Sequence, residues 1–307
     1  MNTTPRTSVS ESPKKGGIVK IWTGITAGVL LLAAIVTILF YFNITPCEYD
    51  DSFCPPPMPT PTPLPTSTAT PPPPSPTLVQ HNFSQPGSTT PSAVSFKQSV
   101  TPGDLVVVAI TQDITMLTGV RDNHHDTYTS VKPALFANSQ DMADYVELYY
   151  AKNVVGGSTT VTATFTAPPA NSNYSGDSNV GIYEFSGLSK TSPLDSAASL
   201  MGGSQSGKTD QVTSVGGVPL GTSENNEICF AVGVDSGLNN SDDPKINTPA
   251  AVGQGYYQLD QQDDSVNYER FYTEWAPIPK AGSPGCNPNF TLQYESYWAI
   301  IGAAFKQ

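Results

Sequence analysis

Residues 101–111 read TPGDLVVVAIT, and the fold class is decided there. Thr101-Pro102-Gly103-Asp104 has the chemistry of a turn: Pro presets one dihedral, Gly accepts positive φ, and Thr and Asp bond to nearby backbone. The following residues, 105–111, are apolar on both faces and β-branched, which predicts a short central strand covered from two sides. Working outward, 144–152 (DYVELYYAK) alternates, with Tyr145, Glu147 and Tyr149 on one face and Val146, Leu148 and Tyr150 on the other. A loop at 153–157 then leads into the Thr/Val run 159–166, so the two runs together predict a hairpin. Further strands are expected at 180–186, 227–235, 266–275 and 297–306, each bounded by Gly, Pro, Asn or Asp. No interval holds the helical period over a dozen residues, and no internal repeat is visible. The expectation is an all-β antiparallel β-sandwich with jelly-roll topology.

The segments PGDLVVVAI, DTYTSV, YYAKNVVGGSTTVTATF, YEFSGL with PLD soon after, NEICFAVG and the closing WAIIGAAFK occur in that order. Over residues 93–306 this succession resembles a family of largely uncharacterised bacterial extracellular β-sandwich surface modules. The resemblance implies a secreted or surface location and a jelly-roll-like fold. It brings no established activity and no functional residues. The chain departs from the family at Asn123-His124-His125-Asp126, where a small turn is usual, and in a longer acidic loop around Asp242-Asp243.

The N-terminal quarter has a different character. Residues 21–42 (IWTGITAGVLLLAAIVTILFYF) contain no charge, and as a helix they would span roughly 33 Å, enough to cross a bilayer. Arg6, Lys14, Lys15 and Lys20 precede this run, whereas Glu48, Asp50 and Asp51 follow it, which predicts the N-terminus inside and the bulk outside. Between Pro55 and Pro76, twelve of twenty-two residues are proline, a composition that favours extended polyproline II. At about 3.1 Å per residue such a stalk would reach roughly 70 Å. The expected organisation is a cytoplasmic tail at 1–17, a transmembrane helix at 18–42, an extracytoplasmic stalk at 43–77 and a β-domain at 78–307.

Charge narrows the partners. The formal net charge is -12, and residues 1–42 contribute +3, so the remainder carries -15. So acidic a surface repels phosphate backbones, which argues against nucleic acid. All four cysteines lie on the outer side of the expected membrane segment, where disulfides persist. Cys47 with Cys54 and Cys229 with Cys286 is the least strained of three connectivities.

Several motifs bear on chemistry. Residues 202–209 (GGSQSGKT) fit the phosphate-cradling GxxxxGK[ST] pattern, but Gly216-Gly217 and Pro219 would not sustain the helix that a phosphate needs. His124 and His125, flanked by Asp122 and Asp126, lack a distant third metal ligand and read as a solvated turn. Asp242-Asp243 and Asp263-Asp264 are acidic enough for calcium but lack its loop spacing. Glu147, Glu184, Glu269 and Glu274 are strand-borne acids of the kind glycan hydrolysis requires in pairs, yet none sits in an ExDxxE pattern and no G-x-S-x-G elbow occurs. In 266–275, Tyr268, Arg270, Tyr272 and Glu274 share one face, and Phe271 and Trp275 the other. Rings interleaved with charges suit sugar recognition, so this face and the Tyr145, Glu147, Tyr149 face are the candidate binding surfaces. The sequence therefore leads to a non-catalytic, membrane-anchored display or adhesion module that recognises a glycan, with a purely structural surface protein or a glycan hydrolase as alternatives.

Overall fold

In the computed structural model the apolar, β-branched runs pair as antiparallel strands, and no helix occurs among the described residues. Those residues are 74–84, 92–113, 116–132, 135–139, 142–166, 178–203, 213–236, 251–264, 269–292 and 297–307, all within one compact unit, Pro71–Gln307. The expected membrane segment, the Cys47–Cys54 pairing, most of the stalk, Lys208 and Tyr268 lie outside them.

The N-terminal half contains β1 (Thr77–Phe83), β2 (Ser92–Ser95), β3 (Leu105–Asp113), β4 (Leu117–Asp122), β5 (Tyr128–Ser130), β6 (Leu135–Ser139), β7 (Met142–Ala151), β8 (Thr160–Phe165) and β9 (Ser178–Ser186). The C-terminal half contains β10 (Leu194–Gly202), β11 (Thr213–Gly216), β12 (Leu220–Thr222), β13 (Glu227–Ser236), β14 (Ala251–Val252), β15 (Tyr257–Asp264), β16 (Glu269–Ile278), β17 (Gly282–Cys286), β18 (Asn289–Leu292) and β19 (Tyr297–Phe305). The first main sheet runs β1-β9-β3-β7-β5, with β6 also on β7, and the second runs β10-β19-β13-β16-β15. Smaller sheets, β2-β8-β4 and β11-β18-β14, accompany them, with a separate pair β12-β17.

The halves repeat one another, which overturns the expectation of no repeat. In each main sheet the half's first strand pairs with its last, the last with a central strand, and the central strand with the next long one. Each small sheet likewise places the penultimate strand of its half between two others. Register makes the equivalence residue by residue. Leu105 pairs with Phe185 as Ile228 pairs with Phe305, and Val107 pairs with Tyr150 as Phe230 pairs with Trp275. Even the irregularity recurs, since β1 slips between Leu78 and Gln80 and β10 between Leu194 and Ser196. The repeat was invisible in sequence because topology persists where side chains do not: Val106 stands where Cys229 does, and Glu184 where Ala304 does.

Three cores follow from the alternation. The inner faces of the two main sheets share one cluster, in which Leu105, Val107, Tyr183 and Phe185 meet Phe230, Val232, Ile301 and Phe305. The outer face of the first main sheet packs Val106, Val108, Ile110 and Ile182 against Val94, Val161 and Ala163. On the outer face of the second, Ala231, Tyr272, Ile300 and Ala304 pack against Phe290, Leu292 and the half-cystines. Equivalent aromatic contacts cross the inner core at matching positions. Tyr150 meets Phe305 at 5.6 Å and 66°, and Trp275 meets Phe185 at 5.7 Å and 61°. A pseudo-two-fold relation between the halves accounts for both.

The expected strand at 266–275 is β16, which begins at Glu269. One local expectation fails: β7 and β8 are not a hairpin. β7 pairs with β3, β5 and β6, while β8 pairs with β2 and β4, so the loop at 153–157 carries the chain from one sheet to another. Asn153, Gly156 and Gly157 all take positive φ in that crossing. A Cβ on Gly156 would strike the Val100 carbonyl and Pro102, so glycine is needed there.

Candidate functional site

The two strands that carry the candidate binding residues, β7 and β16, are equivalents. By register Tyr145 corresponds to Arg270, Glu147 to Tyr272 and Tyr149 to Glu274. One half therefore places a carboxylate before a tyrosine, and the other a tyrosine before a carboxylate, on the face turned away from the inner core.

That face is not open. Tyr272 and Glu274 are fully buried, and Arg270 and Glu147 nearly so, which corrects the expectation of ligand-presenting surfaces. Alternation was read correctly, since Phe271 does join the inner core, but the opposite face is covered too. Tyr272 packs its ring on Phe290 at 4.2 Å, and Gly233 across the pair leaves the room that the ring fills. Glu274 accepts backbone N–H bonds from Gly253 (3.0 Å) and Asn289 (2.8 Å), tying β16 to the covering segments. Burial pushes its carboxyl up to about 7 despite those two donors. Arg270 and Asp235 form a buried pair at 3.6 Å.

In the N-terminal half Glu147 accepts from Gln112 (3.1 Å) and from the Tyr149 hydroxyl (2.9 Å). Burial raises the Glu147 carboxyl, while burial and the neighbouring carboxylate push Tyr149 up to about 12. Tyr145 and Tyr149 are half-buried, and Tyr149 packs on the outer-face core. The side chain of Glu269 is not among those described. These acids brace sheets, and the described ones stand on outer faces of two different main sheets.

The Asn123–Asp126 turn is built around Asp122. Its buried carboxylate accepts N–H bonds from His124 (2.9 Å) and Asp126 (3.0 Å) and the Tyr128 hydroxyl (3.1 Å). Asp126 in turn accepts from the Val155 N–H at 3.1 Å, which fastens the turn to the β7–β8 crossing. The two aspartates have structural partners rather than the solvated setting expected. Among the described residues no group of three or more His, Cys, Asp or Glu side chains is placed to hold a metal ion. Asp242-Asp243 falls outside the described residues, and so do the side chains of Asp263 and Asp264.

Cys229 and Cys286 are joined by a disulfide with Cα atoms 5.5 Å apart, linking β13 to β17 under the covering layer. Two further polar groupings were not foreseen. Asp104, immediately before the central apolar run, is buried beside the Glu184 carboxyl, which is fully buried and accepts from Gln80 (2.6 Å) and the Thr101 N–H (2.7 Å). Burial first, then the contact with Glu184, pushes Asp104 up to about 7 against the pull of Lys190. Across the inner core, His81 Nδ1 lies 3.1 Å from Asp260, stacks on Tyr183 at 6.0 Å, and Tyr183 meets the Thr273 hydroxyl at 3.0 Å. Only the position of Asp104 at a strand entrance was legible; the partners come from strands far away in sequence. Among the exposed large apolar side chains, Tyr257 stands 59% open beside Trp275, centroids 5.6 Å apart.

No helix among the described residues is long and apolar enough to cross a membrane, and residues 21–42 are not among them. Comparisons with protein-family models, with curated proteins and with solved structures found no match.

Proposed function

We propose that the chain is a membrane-anchored extracytoplasmic display or adhesion module: a tail, an N-terminal membrane helix, a proline-rich stalk, and two tandem jelly-roll-type β-sandwiches. The observation that carries the reading is the Cys229–Cys286 bond lying beyond the uncharged run 21–42 and the prolines of 55–76. Disulfides persist outside the cytoplasm, and the charge flanks of the run point the same way. The resemblance to bacterial surface modules supports the location as well. Protease added to intact cells should release a fragment containing Cys229 and Cys286; a β-unit protected until lysis would reverse the topology.

Glycan recognition, the sharper form of this reading, leaves the covered Arg270, Tyr272 and Glu274 and moves to Tyr257, exposed at the β15 edge, with the half-buried Trp275 of β16 beside it. Such faces accept the C–H surface of sugars. A polysaccharide screen of the full chain should give a ligand that Tyr257→Ala weakens. No binder in the screen would leave display or a purely structural role.

A further inference from the structure

At the entrance of β3 the Thr101–Asp104 turn is zipped to the 153–157 crossing. The Gly103 N–H donates to the Val154 carbonyl (2.9 Å), the Val154 N–H to the Asp104 carbonyl (3.2 Å), and Val100 and Gly157 exchange two backbone bonds of 2.8 Å. Carboxyl groups stand behind both sides of this zip. On the turn side Asp104 lies against Glu184, whose two oxygens are already engaged by Gln80 and the Thr101 N–H. On the far side Asp126, beside Asp122, accepts from the Val155 N–H. The second half is built differently. Glu227 stands at the Asp104 position, with Asp195, Glu224 and Lys306 around it, but Ala304 stands where Glu184 does. Neutral groups fasten its equivalent crossing: the Ala281 N–H donates to Asn225 (2.9 Å) and the Gly282 N–H to Thr222 (3.0 Å).

Two partners compete for Asp104. Its Oδ2 is buried with no other hydrogen-bond partner, so a proton on this carboxyl is held against Glu184. The alternative is Lys190, an exposed side chain in the loop after β9, whose Nζ lies so close over Gly103 that a Cβ there would collide with it. We propose that the Thr101–Asp104 turn is a pH-operated latch: protonated Asp104 holds it inward on Glu184 and closes the crossing, and ionised Asp104 turns it outward to Lys190 and releases Val154.

The sign follows from the setting. Burial, then Glu184, push Asp104 up to about 7 against Lys190, so the closed turn keeps its proton below that pH and loses its hold as pH rises through it. The other charges around the crossing are Lys152, bonded to the Thr191 carbonyl, and Asp122, Asp126 and His124 in the facing turn. Burial raises Asp126 too, with Asp122 adding to it against the Val155 bond and His124, so the far side loosens in the same direction. Release uncovers Val100 and Val154, 2% and 3% exposed when closed, beside Val155 at 61%.

The test is amide exchange of the full-length chain in detergent from about pH 5 to about pH 9, corrected for the intrinsic pH dependence of exchange. Opening releases one proton, so protection at Gly103 and Val154 should fall by about tenfold per pH unit at its steepest and level off above about pH 7. Asp104→Asn keeps the inward hydrogen bond without the titration and should flatten the fall. Lys190→Gln, at an exposed position, should move it to higher pH. Wild-type protection independent of pH overturns the latch. So does a Lys190→Gln profile identical to wild type, or an equal fall at Ala281 and Gly282, which would mean general loosening.

Discussion

The two halves of the β-unit share strand order, register and even the slip in the first strand, yet they differ in how each closes its outer face. The N-terminal half closes β7 with hydrogen-bonded side chains, Gln112 and Tyr149 on Glu147, and anchors its crossing through the Asp122 turn. The C-terminal half closes its outer face with a covalent bond from β13, Cys229–Cys286, and on β16 with an aromatic contact, Tyr272 on Phe290, and backbone donors, Gly253 and Asn289 on Glu274. One topology thus tolerates two chemistries wherever a buried group is satisfied locally. The shared inner core is where the halves have least freedom, because each must fit the other.

The inner core gives the largest expected effects. Phe185 and Phe305 are fully buried equivalents, so Phe185→Ala and Phe305→Ala should each cost about 3–5 kcal/mol in denaturant unfolding. Nearly equal costs would support the pseudo-two-fold relation; a large difference would break it. Tyr272→Ala, which lies outside that core, should cost about as much and weaken no surface ligand, because its ring is covered.

Next in size is the disulfide, which belongs to one half alone. Cys229→Ala/Cys286→Ala opens a loop whose ends are 57 residues apart and should cost about 2–4 kcal/mol. Amide exchange sharpens the comparison. Protection should fall first in β16–β18 and later in β3, β7 and β9; uniform loss would mean the halves unfold as one.

Buried acids set a pH dependence shared by both halves. Asp104 is raised from 3.8 to about 7 and Glu274 from 4.5 to about 7. A raised folded pKa means the folded state holds the proton more tightly, so this stability is present below the unfolded value and lost as pH rises through about 7. Each group should therefore reduce stability by roughly 1–3 kcal/mol between pH 4 and pH 8. Asp104→Asn should flatten its share of that slope and raise the melting temperature at pH 8. An unchanged slope would show that Lys190 holds Asp104 ionised against burial and the Glu184 carboxyl.

Much of the strand set was legible because period and turn chemistry are local. The runs at 105–111, 180–186, 227–235 and 297–306 became β3, β9, β13 and β19, and Phe271 was placed on the inner side. The covering layers were not legible, since β2, β12 and β14 are four residues or fewer and carry no periodic signal. That omission alone turned Tyr272 and Glu274 from apparent surface groups into buried ones. Sequence alternation states which residues share a face, and a second layer decides whether the face meets water. The hairpin expectation failed for a related reason: a glycine-bearing loop after an alternating strand serves a sheet crossing as well as a return.

The smallest expected effect concerns the lateral edge where, among the described residues, a His–Asp side-chain contact bridges the two main sheets. His81 on β1 meets Asp260 on β15, whereas the equivalent of His81 on the opposite edge is Ala197. His81→Ala makes the two edges alike. The His81 side chain is 35% exposed and Asp260 4%, so solvent screens one partner while the other is enclosed. The loss should be no more than about 1 kcal/mol and should shrink in high salt. Asp260→Ala removes the same pair, but it also empties a buried position and should cost more. Unfolding measured at low and high salt separates the terms: a His81→Ala loss that is large and independent of salt would mean that the ring's stacking on Tyr183 at 6.0 Å, not its charge, seals this edge.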